Sequence, residues 1–331
     1  MAILIVEGVA KVYRRSGNIA VVDQEGNRVE VPLPDLDLVV VIGERAQITS
    51  SATLTLISQG VPLVVVSGKT DTYGVLFDVV QVGTVGVRSS QYRCFDDSYC
   101  RLKYARPLVG SKLKGLYNVL RYEYKYHKVV HEEDYNHAKH GILEILENVK
   151  SARDVDELRE LEAEGSKYFW NIAVSFIPEK YGFTGRRPRK GDVINSATDF
   201  LYAVLYGIVT KGIVISGLDP FYGCIHTLKS GRLSLTYDLS EMFKPIAFHA
   251  VIQASRKANL ETFKNSRLLK PRAIEVLVKH LYYRLSKEGE RVYKEYKRKS
   301  IWHLPVREIS KFKEAVTKQL EYDPYVYDPT D

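Results

Sequence analysis

Over the first 86 residues, short runs of β-branched and aliphatic side chains alternate with turn-forming ones. Segments 3–6, 19–22, 29–31, 38–42, 63–66 and 75–77 have the length and composition of strands, and Glu25-Gly26-Asn27 reads as a hairpin turn. Glycines at 74, 83 and 86 and the polar run 88–91 mark a linker. Beyond it tight-turn signals thin out and apolar residues recur at helical spacing, as in Ala197, Phe200, Leu201, Val204, Leu205 and Ile208. A loop is expected over 178–191. The pattern predicts an α+β chain: a small N-terminal β domain, residues 1–86, followed by a larger, mostly α-helical domain, residues 87–331.

One helical stripe carries a misfit. Val155, Leu158, Glu162, Gly165, Phe169 and Ile172 recur in steps of three and four, which puts Glu162 where a leucine belongs. A buried carboxylate without a partner costs several kcal/mol in practice, so this position calls for a cation, a metal or a hydrogen-bonded network. Gly165 on the same stripe leaves room for a neighbouring element. A helix rotated to turn Leu161 and Ala163 inward would leave Glu162 solvated, and spacing alone admits both.

Segment 217–245 brings a histidine and two carboxylates around a turn. His226 closes a Gly/Pro-punctuated loop, and Asp238 and Glu241 are three apart, on one face of a helical turn. Imidazole beside oxygen ligands suits Mn²⁺ or Mg²⁺, and the lack of thiolates at zinc spacing argues against a structural zinc. The same residues also fit an ordinary helix start, with Asp238 as N-cap and Glu241 as its capping-box partner.

Other polar clusters are weaker. Arg186, Arg187, Arg189 and Lys190 surround a proline just before a helix, a setting suited to phosphates as well as to a solvated loop. Segment 294–303 interleaves cations with aromatics that can stack on unpaired bases or simply pack. His127 with His131, and His137 with His140, have helix-face chelating spacing but no fixed third ligand. Cys224 has no histidine partner of a cysteine hydrolase and reads as a small packed residue.

Composition narrows the classes. With 331 residues, 45% of them hydrophobic, the chain has length for two domains, each with its own core. A net charge of +8 and a pI near 9.1 favour a polyanionic partner. Three cysteines, Cys94, Cys100 and Cys224, suggest neither a disulfide framework nor a CxxC pair, which points to a reducing compartment. No apolar run approaches membrane length, so a soluble, cytoplasmic protein is expected. Low Met and Cys beside abundant Lys, Glu and Tyr hint at a thermophilic source.

The blocks singled out also resemble a known family. Segment 161–170, from Leu161 to Trp170, resembles the Glu-Gly-x-Ala-Ala-x-x-Tyr-Phe helix of the CRISPR-associated integrase, the endonuclease subunit of spacer acquisition, with Ala163 in place of the usual glycine. Segment 186–206 looks like its Arg-Arg-Pro…Asp-x-x-Asn stretch. Gly217-Leu218-x-Pro220-x-x-Gly223-x-x-His226 matches its histidine loop, and Tyr237-Asp238-Leu239-x-Glu241-x-Phe243-Lys244-Pro245 its acidic motif. Segment 34–66 is similar to its strand, short helix and Gly-Val-Pro strand. Lys244 stands where an arginine is usual, and Phe248 where an aspartate often follows the proline.

The resemblance implies an enzyme that cuts and joins DNA with a divalent metal, Mn²⁺ or Mg²⁺, held by Glu162, His226 and Glu241. Asp238 would bind a second ion, orient a ligand or accept a proton. The resemblance further implies 3′-hydroxyl attack on phosphodiesters, insertion of short double-stranded DNA into a CRISPR repeat array, a homodimer and a small second CRISPR-associated subunit. Two other classes share these residues: a structure-specific repair nuclease acting on branched DNA, and a non-catalytic nucleic-acid-binding scaffold.

Overall fold

The computed structural model describes residues 2–67, 73–76, 84–128, 130–188, 192–226, 229–262, 269–292 and 303–330. The N-terminal part contains β1 (Ala2–Glu7), β2 (Ala10–Arg15), β3 (Asn18–Asp23), β4 (Arg28–Pro32), β5 (Leu36–Ile42), β6 (Gln47–Ile48), α1 (Ser50–Ser58), β7 (Leu63–Val66) and β8 (Tyr73–Leu76). These strands form two four-stranded sheets, ordered β1-β5-β7-β8 and β4-β3-β2-β6. In the first, β1, β5 and β7 run parallel and β8 pairs antiparallel to β7. In the second, β2, β3 and β4 are antiparallel neighbours and β6 lies parallel to β2.

The six expected strands are present, and so is the turn between β3 and β4. There Asp23 accepts the backbone N–H groups of Glu25 (2.9 Å) and Asn27 (2.8 Å) while Gly26 takes φ 84°. Strand β2 lies outside the set expected from sequence. Only Ala10 and Val12 are apolar on its buried face, and the strand is held by its register with β3 across Ser16-Gly17.

β5 is apolar nearly throughout because it is covered on both faces. Leu38, Val40 and Ile42 point into the large core shared with the helices, while Val39 and Val41 point into a smaller core with Val12, Ile19 and Leu56. The β region thus has a small core of its own and also gives one face of its first sheet to the helical core.

The helical part contains α2 (Thr84–Asp96), α3 (Ser98–His127), α4 (Glu132–Ser151), α5 (Val155–Ala173), α6 (Val193–Ile215), α7 (Ser234–Ser240), α8 (Lys244–Lys257), α9 (Pro271–Val292) and α10 (His303–Lys318). The polar run 88–91 is not a linker but the middle of α2. Its glutamine, Gln91, is buried and ties the helix to the 217–226 loop, donating to the carbonyls of Asp219 (3.0 Å) and Tyr222 (2.7 Å) and accepting the Asp219 N–H (2.8 Å). Gly74 lies in β8, and Gly83 falls outside the described residues.

Two further expectations are corrected. Cys94 and Cys100 form a disulfide. Six residues would separate them along an unbroken helix, but the chain turns at Asp97, which caps α3 by accepting the Cys100 N–H (2.7 Å) and leaves the two Cα atoms 5.2 Å apart. The cysteines thus give no support to a reducing compartment. Helix α6 is long and apolar enough, by length and composition, to cross a membrane. It is the central core helix: 72% of its most apolar window is buried, and it contacts α7, α8, α9, α10 and the first sheet.

Candidate metal centre

Helix α5 starts from Asp154, whose carboxylate accepts the N–H groups of Asp156 (2.9 Å) and Glu157 (2.8 Å). Leu158, Gly165, Phe169 and Ile172 are buried and Ala163 is exposed, so the rotated alternative does not hold and Glu162 does lie on the inward stripe, partly covered. A Cβ on Gly165 would stand 2.8 Å from Leu113 Cδ2 and 3.1 Å from Ile145 Cγ2. The missing side chain is what lets α3 approach α5, and the approach delivers Lys112, next to Leu113, to Glu162.

Glu241 comes from the other side. It leaves α7 and opens a 3-10 turn, Glu241–Phe243, with Pro245 in the first turn of α8. The capping-box reading fails, because the N-cap of α7 is Leu233. Glu241 is buried, and its Oε2 lies 2.7 Å from Lys112 Nζ, while its Oε1 accepts from Lys244 Nζ at 2.6 Å. The Lys112 ammonium also pairs with Glu162 Oε1, which accepts Ser166 Oγ at 2.9 Å. Glu162 and Glu241 thus meet across one shared cation. Burial by itself raises the Glu241 carboxyl pKa, but the ammoniums of Lys112 and Lys244 outweigh it and hold the group well below the usual carboxylate range.

His226 is placed by Asp238. That carboxylate is fully buried and accepts the backbone N–H groups of Cys224 (2.6 Å), Ile225 (2.9 Å) and His226 (2.9 Å), together with His226 Nδ1 at 2.6 Å. Gly223 permits the approach: a Cβ there would stand 2.8 Å from the Ser234 carbonyl carbon. With Nδ1 donating to Asp238, the acceptor nitrogen of the neutral ring is Nε2, 4.0 Å from Glu241 Oε1. Both oxygens of Asp238 are engaged in this, so of its expected roles the geometry fits only the orienting one.

Among the described residues, no group of three or more His, Cys, Asp or Glu side chains is close enough to hold an ion as it stands. At this centre Lys112 occupies the space between two of the three expected ligands. Sequence reasoning missed this lysine, though a signal existed: Leu108, Lys112 and Leu116 follow one face of α3 at steps of four, the same misfit that marked Glu162. Lys244 sits over the rings of Tyr202 (5.4 Å) and Tyr206 (5.8 Å), a second charge on the buried side of Glu241. Phe248, in the place of an aspartate, is buried against Trp170, 4.5 Å between ring centroids.

The basic loop splits. Arg186 is turned inward, donating to Asn195 Oδ1 at 2.9 Å and pairing with Asp199, so it fastens the loop to α6. Arg187 is exposed, and Arg189 and Lys190 lie outside the described residues. So do residues 294–302 of the second basic stretch. The His127/His131 pair does not share a helix: Lys128, at φ 51°, ends α3, and His131 caps α4. His137 and His140 are exposed, with His137 edge-on to Tyr168. Cys224 is buried, and burial pushes its thiol pKa well up, in keeping with a packed residue.

A family model described as CRISPR associated protein Cas1 matches residues 3–282. A CRISPR-associated endonuclease Cas1 of Hyperthermus butylicus is 30% identical over 260 residues, 76% of this chain and 77% of that protein. A solved casposase bound to integration product superposes with a TM-score of 0.81 at 21% identity, covering 99% of this chain and 95% of the other. A chain of a Cas6-RT-Cas1–Cas2 complex does so with a TM-score of 0.75 at 17% identity, covering 99% of this chain and 36% of the other. At such identities the two structural likenesses speak for the fold.

Proposed function

The chain belongs to the CRISPR-associated Cas1 family, and from that premise we propose that it is a metal-dependent DNA endonuclease and integrase, which joins the 3′-hydroxyl ends of short double-stranded fragments to phosphodiesters of a CRISPR repeat array. The observation that carries the reading is the convergence of Glu162 from α5, Glu241 from the turn after α7 and the Nε2 face of His226. The donor set fits a hard divalent cation, two carboxylates and one imidazole. Glu241 Oε2 is buried, and its partner there is the Lys112 ammonium at 2.7 Å, a cation standing where a metal ion would bind the carboxylate.

Glu162, Glu241 and His226 Nε2 would hold Mn²⁺ or Mg²⁺. Bound there, the ion would act as a Lewis acid on the phosphoryl oxygens and on the attacking oxygen. Asp238 fixes the tautomer and direction of His226, and Ser166 steadies Glu162. Lys244 supplies positive charge beside Glu241, suited to a site that takes up phosphates. Exposed Arg187, with Arg189 and Lys190, is assigned to the DNA backbone, and Arg186 to the shape of that loop.

This chemistry belongs to residues 87–331 in our reading, with residues 1–86 as the supporting β domain. In our reading the protein acts in the cytoplasm as a homodimer with a small second CRISPR-associated subunit and DNA; the Cas1–Cas2 complex and the integration-product structure speak for the second subunit and the DNA. The test is a joining assay with a labelled DNA 3′ end and a supercoiled plasmid. Label should enter the plasmid with Mn²⁺ or Mg²⁺ and not with chelator. Nicking without joining would favour a repair nuclease, and metal-independent binding without any nicking would favour a scaffold.

A further inference from the structure

Lys112 is the one partner common to Glu162 and Glu241 among the described residues. Its side chain is 12% exposed, and it reaches both carboxylates from a third element, α3. The groups facing it are Glu162 and Ser166 from α5, Glu241 from the turn after α7, and Lys244 from the start of α8. Lys244 has its own anchor on Glu241 Oε1 and lies over two tyrosine rings, so the balance between the carboxylates rests on Lys112. Two carboxylates drawn together in a poorly solvated place repel unless a cation stands between them. A lysine ammonium is a point charge on a flexible four-carbon stem, able to hold such a place and to withdraw from it, which the rigid fork of an arginine is not.

We propose that Lys112 is a built-in counter-ion that keeps Glu162 and Glu241 together before metal enters and competes with the divalent cation for the same carboxylate oxygens. The inference rests on the metal-dependent reading above. Two consequences follow from the geometry. The metal-free site stays assembled, because the ammonium substitutes for the ion between α5 and the Glu241 turn. Ion uptake is weaker than the donor set alone would allow, because Lys112 must first leave at least one oxygen.

The experiment is calorimetric titration of MnCl₂ into the full chain stripped with chelator, for the unsubstituted protein and for Lys112→Met, Lys112→Arg and Glu162→Gln. Removing a unit charge a few ångströms from the ligands should tighten Mn²⁺ binding about tenfold or more in Lys112→Met. Lys112→Arg should bind no more tightly than the unsubstituted protein, and Glu162→Gln more weakly. In chelator Lys112→Met should melt lower, and Mn²⁺ should raise its Tm by more than it raises that of the unsubstituted protein. Should Lys112→Met not fold without metal, Lys112→Gln takes its place, with the same expected order. Equal or weaker Mn²⁺ binding by the neutral variants, with normal binding by the unsubstituted protein, overturns the counter-ion role alone. No Mn²⁺ binding by the unsubstituted protein overturns the metal-dependent reading and this inference with it.

Discussion

His226 Nδ1 stands 2.6 Å from Asp238 Oδ1, and the same buried carboxylate gathers the backbone N–H groups of Cys224, Ile225 and His226. One aspartate therefore sets both the course of the histidine loop and the direction of the imidazole. Asp238→Asn keeps the size but turns one acceptor into a donor facing N–H groups. Leaving buried donors unmatched should lower stability by about 2–4 kcal/mol in urea unfolding. Joining activity should fall more than unfolding explains, because Nε2 loses its fixed aim. A variant with wild-type stability would show that Asp238 is not the clamp described here.

Glu162→Ala separates chemistry from fold. Lys112 keeps Glu241 as a partner in this variant, so the ammonium is not stranded. Stability should drop by no more than about 1–2 kcal/mol, while plasmid joining is lost. Near-normal joining by the folded variant would remove Glu162 from the ligand set.

The stripe on α5 was legible because helical periodicity fixes which side faces inward, and a carboxylate at such a position is a physical anomaly whatever the fold. Gly165 was legible for the same reason. The division of labour between Asp238 and Glu241 was not, since a three-residue spacing serves a capping box, a ligand pair or a clamp with its ligand, and only the incoming 217–226 loop decides among them. Arg186 and Arg187 are neighbours of identical type, and the difference between an anchor and a surface cation comes from Asn195 and Asp199, which lie on the first turns of α6. The Cys94–Cys100 bridge depends on the helix break at Asp97, and the strand β2 on cross-strand register; neither is a local property of composition.

Gly165→Ala tests how closely α3 must approach. The added methyl would meet Leu113 at 2.8 Å and Ile145 at 3.1 Å. Overpacking of this kind should cost about 1–3 kcal/mol, read as a lower midpoint in chemical unfolding. Because the strain falls beside Lys112, joining should drop as well. An unchanged midpoint would mean that the two helices part without cost.

The basic loop yields a pair of opposite expectations. Arg187→Ala should weaken DNA binding and reduce the slope of log binding constant against log salt by about one. Arg186→Ala should lower stability, because it removes the bonds from Arg186 to Asn195 and Asp199 that help fasten the loop to α6, and any loss of DNA binding should follow from loop distortion. Salt-titrated binding of both variants, alongside their unfolding midpoints, checks the split. A larger slope change for Arg186→Ala than for Arg187→Ala would reverse the assignment.

Lys211 gives a pH signature at the junction of the helices with the first sheet. Its ammonium donates to the Gly60 carbonyl, and burial pushes its pKa down to about 8, with Asp37 only partly opposing the shift. An unfolded lysine titrates near 10.4, so the native state binds fewer protons than the unfolded chain between roughly pH 8 and pH 10.4. The charged form is the one disfavoured in the fold. Below about pH 8 the lysine thus destabilises by its full amount, and the penalty fades as pH rises through that window. Relative to Lys211→Met, which cannot titrate, the unsubstituted protein should gain on the order of 2 kcal/mol between pH 7.5 and pH 10.5, measured by urea unfolding of both across that range. A stability difference that stays flat with pH would show that the group is better solvated than its burial under the sheet implies.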